Sequence, residues 1–241
     1  MNGTVGTRGS SGRIRYGVTP ATITLRIREP GSDITHFVGL ILVLMGSGPL
    51  LIRAGMFGSG WALAGMWVFL ISSAMLYAAS TVYHTVVISE EKTRLFKKID
   101  HMMISVMIAG AYTAGCFTVL RGKTGFILLA VIWIMAAGGI LLKALWVTCP
   151  RWISSLLYLV MGWACIFALP LLAKGLPAGS FALLVAGGLL YSIGSVIYAL
   201  RLNAFNARHP RFGTHEIFHL FIMAGTVCHY IVMYTDLSCW N

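Results

Sequence analysis

Acidic side chains are scarce in this chain: 7 Asp and Glu stand against 18 Lys and Arg in 241 residues, a formal net charge of +11. Charged residues of both signs make up only 10% of the sequence and hydrophobic ones 58%. A soluble domain of this length needs far more polar surface, so a free cytosolic protein is excluded. Five cysteines, Cys116, Cys149, Cys165, Cys228 and Cys239, include no CxxC spacing. They provide neither a thiolate metal knuckle nor a disulfide framework, and they read as small packing residues. Residues 1–28 contain no acid and no apolar h-region, so a secretory leader is not expected there.

What the chain has in abundance is long apolar runs. A helix crossing roughly 30 Å of hydrocarbon needs about 20 apolar residues. Seven runs meet that length, with approximate cores at 34–52, 61–82, 102–120, 126–146, 153–172, 181–200 and 217–234. The connections between them carry turn and charge signals, such as Gly58-Ser59-Gly60 and Arg121-Gly122-Lys123, and none is long enough for a separate domain. The expectation is an all-α integral membrane protein, a seven-transmembrane helix bundle over residues 29–241. Residues 1–28, rich in Gly, Ser, Thr and Arg, read as a disordered basic cytoplasmic tail. Its arginines, Arg8, Arg13, Arg15, Arg26 and Arg28, serve topology, with contact to anionic headgroups as the alternative.

Orientation follows from Lys and Arg, which stay on the cytoplasmic side during insertion. With the N-terminus inside, the inner segments hold the five tail arginines, Lys92, Arg94, Lys97, Lys98, Lys143, Arg151, Arg201, Arg208 and Arg211. The outer segments hold only Arg53, Arg121, Lys123 and Lys174. The N-terminus is therefore expected in the cytoplasm and the C-terminus outside. A basic balance of this kind calls for no nucleic-acid partner; membrane lipids are the expected surroundings.

The same topology brings three histidines to one depth. The second span ends near His84, the third begins just after Asp100 and the seventh begins at His215, all near the cytoplasmic leaflet. His215 and His219 lie four residues apart and so share a helix face. With His84 from another span they form three ligands around one ion, and three protein ligands plus water is the open arrangement of a catalytic zinc. Taken by itself the pair also fits two interfacial histidines bonded to headgroups or backbone. Convergence of four ionisable groups in one leaflet favours the metal, because such groups are costly in a membrane. Asp100 is placed to take or orient the proton of the water, and Ser80, one turn before His84, to donate to a bound carbonyl or oxyanion.

The stretches Ser80-Thr81-Val82-Tyr83-His84, Lys97-Lys98-Ile99-Asp100-His101, Ile108 to Thr113, Met161-Gly162-Trp163 and His215-Glu216-Ile217-Phe218-His219 resemble the bacterial hemolysin III proteins. Those proteins belong with the progestin and adiponectin receptors, and the likeness covers nearly all of the chain from Glu29 onward. The resemblance implies a zinc ion held by His84, His215 and His219, with Asp100 reaching it through water. The receptors' opening motif of Glu, Asn and Thr-His appears as Glu29, Ser32, Thr35 and His36, with serine in place of the asparagine. Glu29 and His36 are read as structural residues of the cytoplasmic end, outside the ligand set. The wider group resembles intramembrane metal-dependent hydrolases, including alkaline ceramidases, and so implies hydrolysis of a lipid amide or ester.

His229, ten residues beyond His219, is roughly 15 Å further along the helix and is expected as a buried polar contact. His101 points about 100° away from Asp100 around the helix, and His209 sits in a basic loop before Pro210; neither is expected to be a ligand. Gly39, Gly46, Gly110, Gly138, Gly188 and Gly194 are expected where helices approach closely, and Trp61, Trp146, Trp152 and Trp240 at the interfaces. Three functions stay open: a zinc-dependent membrane hydrolase acting on a lipid within the bundle, a receptor or regulator of membrane state with structural zinc, and a cytolysin. The compact plan suits a bacterial inner membrane as a multi-pass protein.

Overall fold

The computed structural model describes residues 30–86, 89–200, 202–209 and 212–241. The tail 1–28, Glu29, Arg201, Pro210 and Arg211 lie outside the described residues. Among those described, the regular elements are all helical: α1 (Pro30–Phe57), α2 (Gly60–Thr85), α3 (Glu90–Phe117), α4 (Lys123–Leu145), α5 (Arg151–Trp163), α6 (Leu169–Gly175), α7 (Ala178–Leu200), α8 (Asn203–Arg208) and α9 (Thr214–Thr235), with short 3₁₀ turns at Ala164–Ala168 and Leu237–Cys239.

Among the described residues, six helical stretches are long and apolar enough to cross a membrane: α1, α2, α4, the α5–α6 rod, α7 and α9. α3 is as long as α1, at 28 residues, but falls outside that set. Its first half carries Glu90, Glu91, Lys92, Arg94, Lys97 and Lys98, and Asp100 and His101 stand just before the apolar run expected at 102–120, lowering the hydropathy of any span-length window. The fold is thus an all-helical membrane bundle with six spans that qualify by composition. The fifth run, expected as one helix, is broken. Pro170 has no N–H to offer the carbonyl four residues back, and the chain tightens into the 3₁₀ turn just before it. The basic loop expected around His209 is partly helical, because α8 forms and Asn206 Oδ1 accepts from the Thr214 N–H at 2.8 Å.

α1, α2 and α3 pack as successive neighbours, α3 meets α5, α5 meets α7, α7 meets α9, and α9 returns to α1. These helices form a ring, with α4 outside it and laid chiefly against α3. The outward faces are apolar, with Met45 70% and Phe167 91% exposed. Of the tryptophans expected at the interfaces, Trp61, Trp146 and Trp152 are exposed. Trp240 is instead half-buried, its carbonyl accepting from both the N–H and the hydroxyl of Ser59 at 2.9 Å. That contact ties the end of α9 to the α1–α2 turn, about 30 Å from where α9 begins.

Lipid tails are as apolar as leucine, so close backbone approach must hold such helices together. A Cβ at Gly110 on α3 would collide with the Ser72 side chain on α2, and one at Gly65 would come within 2.9 Å of Ala114 Cα. Gly39, Gly46 and Gly194 also face near neighbours, whereas Gly138 and Gly188 face open space, against expectation. Gly110→Val should therefore lower the thermal unfolding midpoint in detergent, at a cost of about 1–3 kcal/mol. Gly188→Ala should leave it unchanged or raise it.

Candidate metal centre

α2 delivers His84 in its last turn, and α9 delivers His215 and His219 in its first two. Glu216 fixes the start of α9 by accepting from the Gly213 N–H at 2.7 Å, which satisfies an otherwise unpaired donor of the first turn. The helix is regular from there, so the two histidines project together with ring centroids 4.4 Å apart. His84 meets them at 5.1 Å from His215 and 5.5 Å from His219. One nitrogen of each ring lies within 4.8 Å of the other two. His84 and His219 are buried and His215 is half-buried.

Nε2 of His84 and Nε2 of His215 are 3.3 Å apart. A tetrahedral ion with metal–nitrogen bonds of about 2.0–2.1 Å separates its ligands by about 3.3–3.4 Å. The spacing of these two atoms thus fits one edge of such a site, and the three-histidine group can hold a metal ion.

The first turns of α1 clamp both ligand-bearing helices. Ser32 donates to Glu216 Oε1 at 2.6 Å, beside His215, and Thr85, beside His84, donates to Asp33 Oδ1 at 2.5 Å. Thr35 Oγ1 lies 3.1 Å from His219 Nδ1, which leaves the other nitrogen of that ring for an ion. His36 stacks on His219 with centroids 3.5 Å apart. Ser32, in the asparagine's place, therefore has a definite role as a tether between α1 and α9. Sequence reasoning missed the clamp as a clamp; its one legible trace was the spacing of Ser32, Thr35 and His36.

Asp100 is buried at the start of the membrane-facing part of α3, and its Oδ2 lies 3.1 Å from Nδ1 of His101. His101 is not part of the three-histidine group; it is buried beside the carboxylate. Ser80 is fully buried, and among the described residues its hydroxyl has no hydrogen-bond partner. His229 bonds the Leu184 carbonyl at 3.3 Å and takes no part in the cluster. The five cysteines are free. Cys149 is more than packing, because it accepts from Lys143 at 3.1 Å. On the membrane side of the histidines, a cavity of about 180 Å³ is lined by Asp100, His215 and His219 together with apolar residues such as Ile104, Met107 and Leu184.

A helical bundle of this kind, with a buried three-imidazole group at one end, defines a multi-pass membrane protein with a candidate metal centre. Residues 25–230 match the family described as Haemolysin-III related, and the chain belongs to that family. It is similar to the Hemolysin-3 homolog of Bacillus subtilis (strain 168), 36% identical over 199 residues that cover 82% of this chain and 89% of that protein. Similarity to Hemolysin-3 of Bacillus cereus is 36% over 198 residues, covering 82% and 86%. Monocyte to macrophage differentiation factor of Homo sapiens is 26% identical over 185 residues, covering 73% and 72%, and supports membership of the progestin and adiponectin receptor superfamily.

Cobalt(II) titration of purified protein should give one tetrahedral visible spectrum per chain, absent in His84→Ala, His215→Ala and His219→Ala. Thr35→Val should keep the spectrum but weaken affinity about 10–100-fold, the usual effect of removing a group that orients a ligand.

Proposed function

We propose that this protein is a zinc-dependent hydrolase of lipid amides or esters in the bacterial inner membrane, built on seven spans with the N-terminus cytoplasmic and the C-terminus outside. The observation that carries the reading is the group of three imidazoles within 4.8 Å, set at the polar end of an apolar cavity. Three ligands leave a fourth tetrahedral position open.

Several features support the seven-span arrangement. The first turns of α1 sit at the histidine end while Trp240 sits with Ser59 at the other, in keeping with an odd number of crossings. Counting α3 as the third crossing meets that requirement. The polar residues that depress its hydropathy, Asp100, His101 and Ser105, are turned inward and buried, as expected of functional groups within a membrane. Lys98 and Arg151 lie at the histidine end and Arg53 at the opposite one, in keeping with a cytoplasmic site.

When bound, zinc supplies a Lewis acid and a water whose pKa is lowered to about 7. His84, His215 and His219 would hold it, with His219 oriented by Thr35. Asp100, steadied by His101 and facing the cavity, accepts the proton of the attacking water and returns it to the departing amine or alkoxide. Ser80 donates its free hydroxyl to the developing oxyanion. The apolar cavity receives a lipid chain and keeps bulk water from the reacting carbonyl. The name Hemolysin-3, borne by the Bacillus cereus relative, points to lysis. A cytolysin needs a water-soluble form, and the broad apolar exterior argues against one.

Purified protein incubated with a ceramide-like lipid should release fatty acid, and Asp100→Asn should slow release by about 100-fold or more while zinc content is kept. Stoichiometric zinc with no release by the wild type would favour a regulator with a structural ion.

A further inference from the structure

On the cytoplasmic side of the histidines a second, polar cleft of about 470 Å³ opens, with Lys97, Lys143, Arg151, His209 and Glu216 in its wall. His101, Tyr198 and His215 line both this cleft and the apolar cavity, so the two spaces meet at the candidate metal centre. The cleft is strongly cationic. Its one carboxylate among the described residues, Glu216, is committed through both oxygens, to Ser32 and to the Gly213 N–H.

Lys143 is the decisive residue. It lies in the last turn of α4 with 1% of its surface exposed, and its Nζ donates to Cys149 Sγ at 3.1 Å and to Ser154 Oγ. Among the described residues it has no carboxylate partner. Arg151 sits over the Tyr198 ring, its Cζ 4.9 Å from the ring centre, likewise with no carboxylate partner among the described residues. Topology alone explains positive charge at the cytoplasmic face. It does not explain a buried one, which is costly unless an anion offsets it. The guanidinium fork and the lysine point charge are the groups that recognise phosphate, and α5 starts at Arg151 with its positive dipole end toward the same cleft.

We infer that the cleft binds the phosphate of an anionic lipid headgroup, through Lys143 and Arg151, while the acyl chain of the same lipid occupies the apolar cavity. The inference deepens the lipid-hydrolase reading and rests on its claim that a lipid enters the bundle. It makes the substrate or ligand class a phosphate-bearing amphiphile, with the head–tail junction beside His215. A free phosphate ion shares the headgroup chemistry, but the continuity of the two spaces favours the lipid.

The test is equilibrium binding of phosphatidic acid, diacylglycerol of the same chains and inorganic phosphate to the full-length protein in neutral-lipid nanodiscs, for wild type, Lys143→Met, Arg151→Gln and Asp100→Asn. Phosphatidic acid should bind at least tenfold more tightly than diacylglycerol, and each of the first two variants should cut that preference at least tenfold with zinc content retained. Arg151 is half-buried at a helix start, so its variant reports even if Lys143→Met misfolds. Equal binding of the two lipids, a preference unchanged in both variants, or inorganic phosphate binding as tightly as the lipid would each overturn the inference. Binding is read without turnover: a retained preference in Asp100→Asn alongside absent hydrolysis in the wild type would defeat the hydrolase reading and leave the headgroup site standing.

Discussion

Polar side chains are costly inside a membrane bundle, and at the histidine end of this protein the first turns of α1 supply partners for several of them. His84 and His219 are almost fully buried and Asp100 nearly so. The response is the clamp from α1: Ser32 holds Glu216, Asp33 holds Thr85 and Thr35 holds His219, so that one helix sets the separation of the two that carry the imidazoles. α2 and α9 contact each other little, so the clamp, together with the Tyr77–Thr226 hydrogen bond at 2.8 Å, keeps a metal-sized spacing between them. An ion bound there would share the load, since metal binding and folding of the site are coupled.

The rest of the fold follows from keeping that end fixed while the other stays apolar. The ring of helices encloses a cavity, and α9 is anchored at its far end by the Trp240–Ser59 contact. The apolar cavity and the cationic cleft then meet at the histidines from opposite sides. A site at such a junction sees both halves of an amphiphile. That geometry suits chemistry at a head–tail linkage better than chemistry on a wholly soluble or wholly apolar compound.

Much of this was legible from sequence. The i, i+4 spacing of His215 and His219 needs only helical geometry, and His84 joined them by a topological argument that needed only the order of apolar runs and the bias of Lys and Arg. Elsewhere local reasoning failed for physical reasons. α3 does not qualify as a span on composition, because inward-facing Asp100 and His101 count against it as heavily as lipid-facing charges would. The break at Pro170 was masked by the strongly apolar residues on either side. The clamp joins residues 184 positions apart, and nothing in the local pattern at Ser32 or Thr35 names a partner on the last helix. The role of Cys149 was hidden in the same way, since its bond to Lys143 depends on how α4 ends and α5 begins.

The central claim is that His84, His215 and His219 hold one zinc ion with a fourth position left to solvent. Zinc-edge X-ray absorption on the purified protein tests it most directly. The account predicts a four-coordinate ion with three imidazole nitrogens and one oxygen, all at about 2.0–2.1 Å. A sulfur shell at about 2.3 Å, or a six-coordinate oxygen shell with no imidazole scattering, would contradict it.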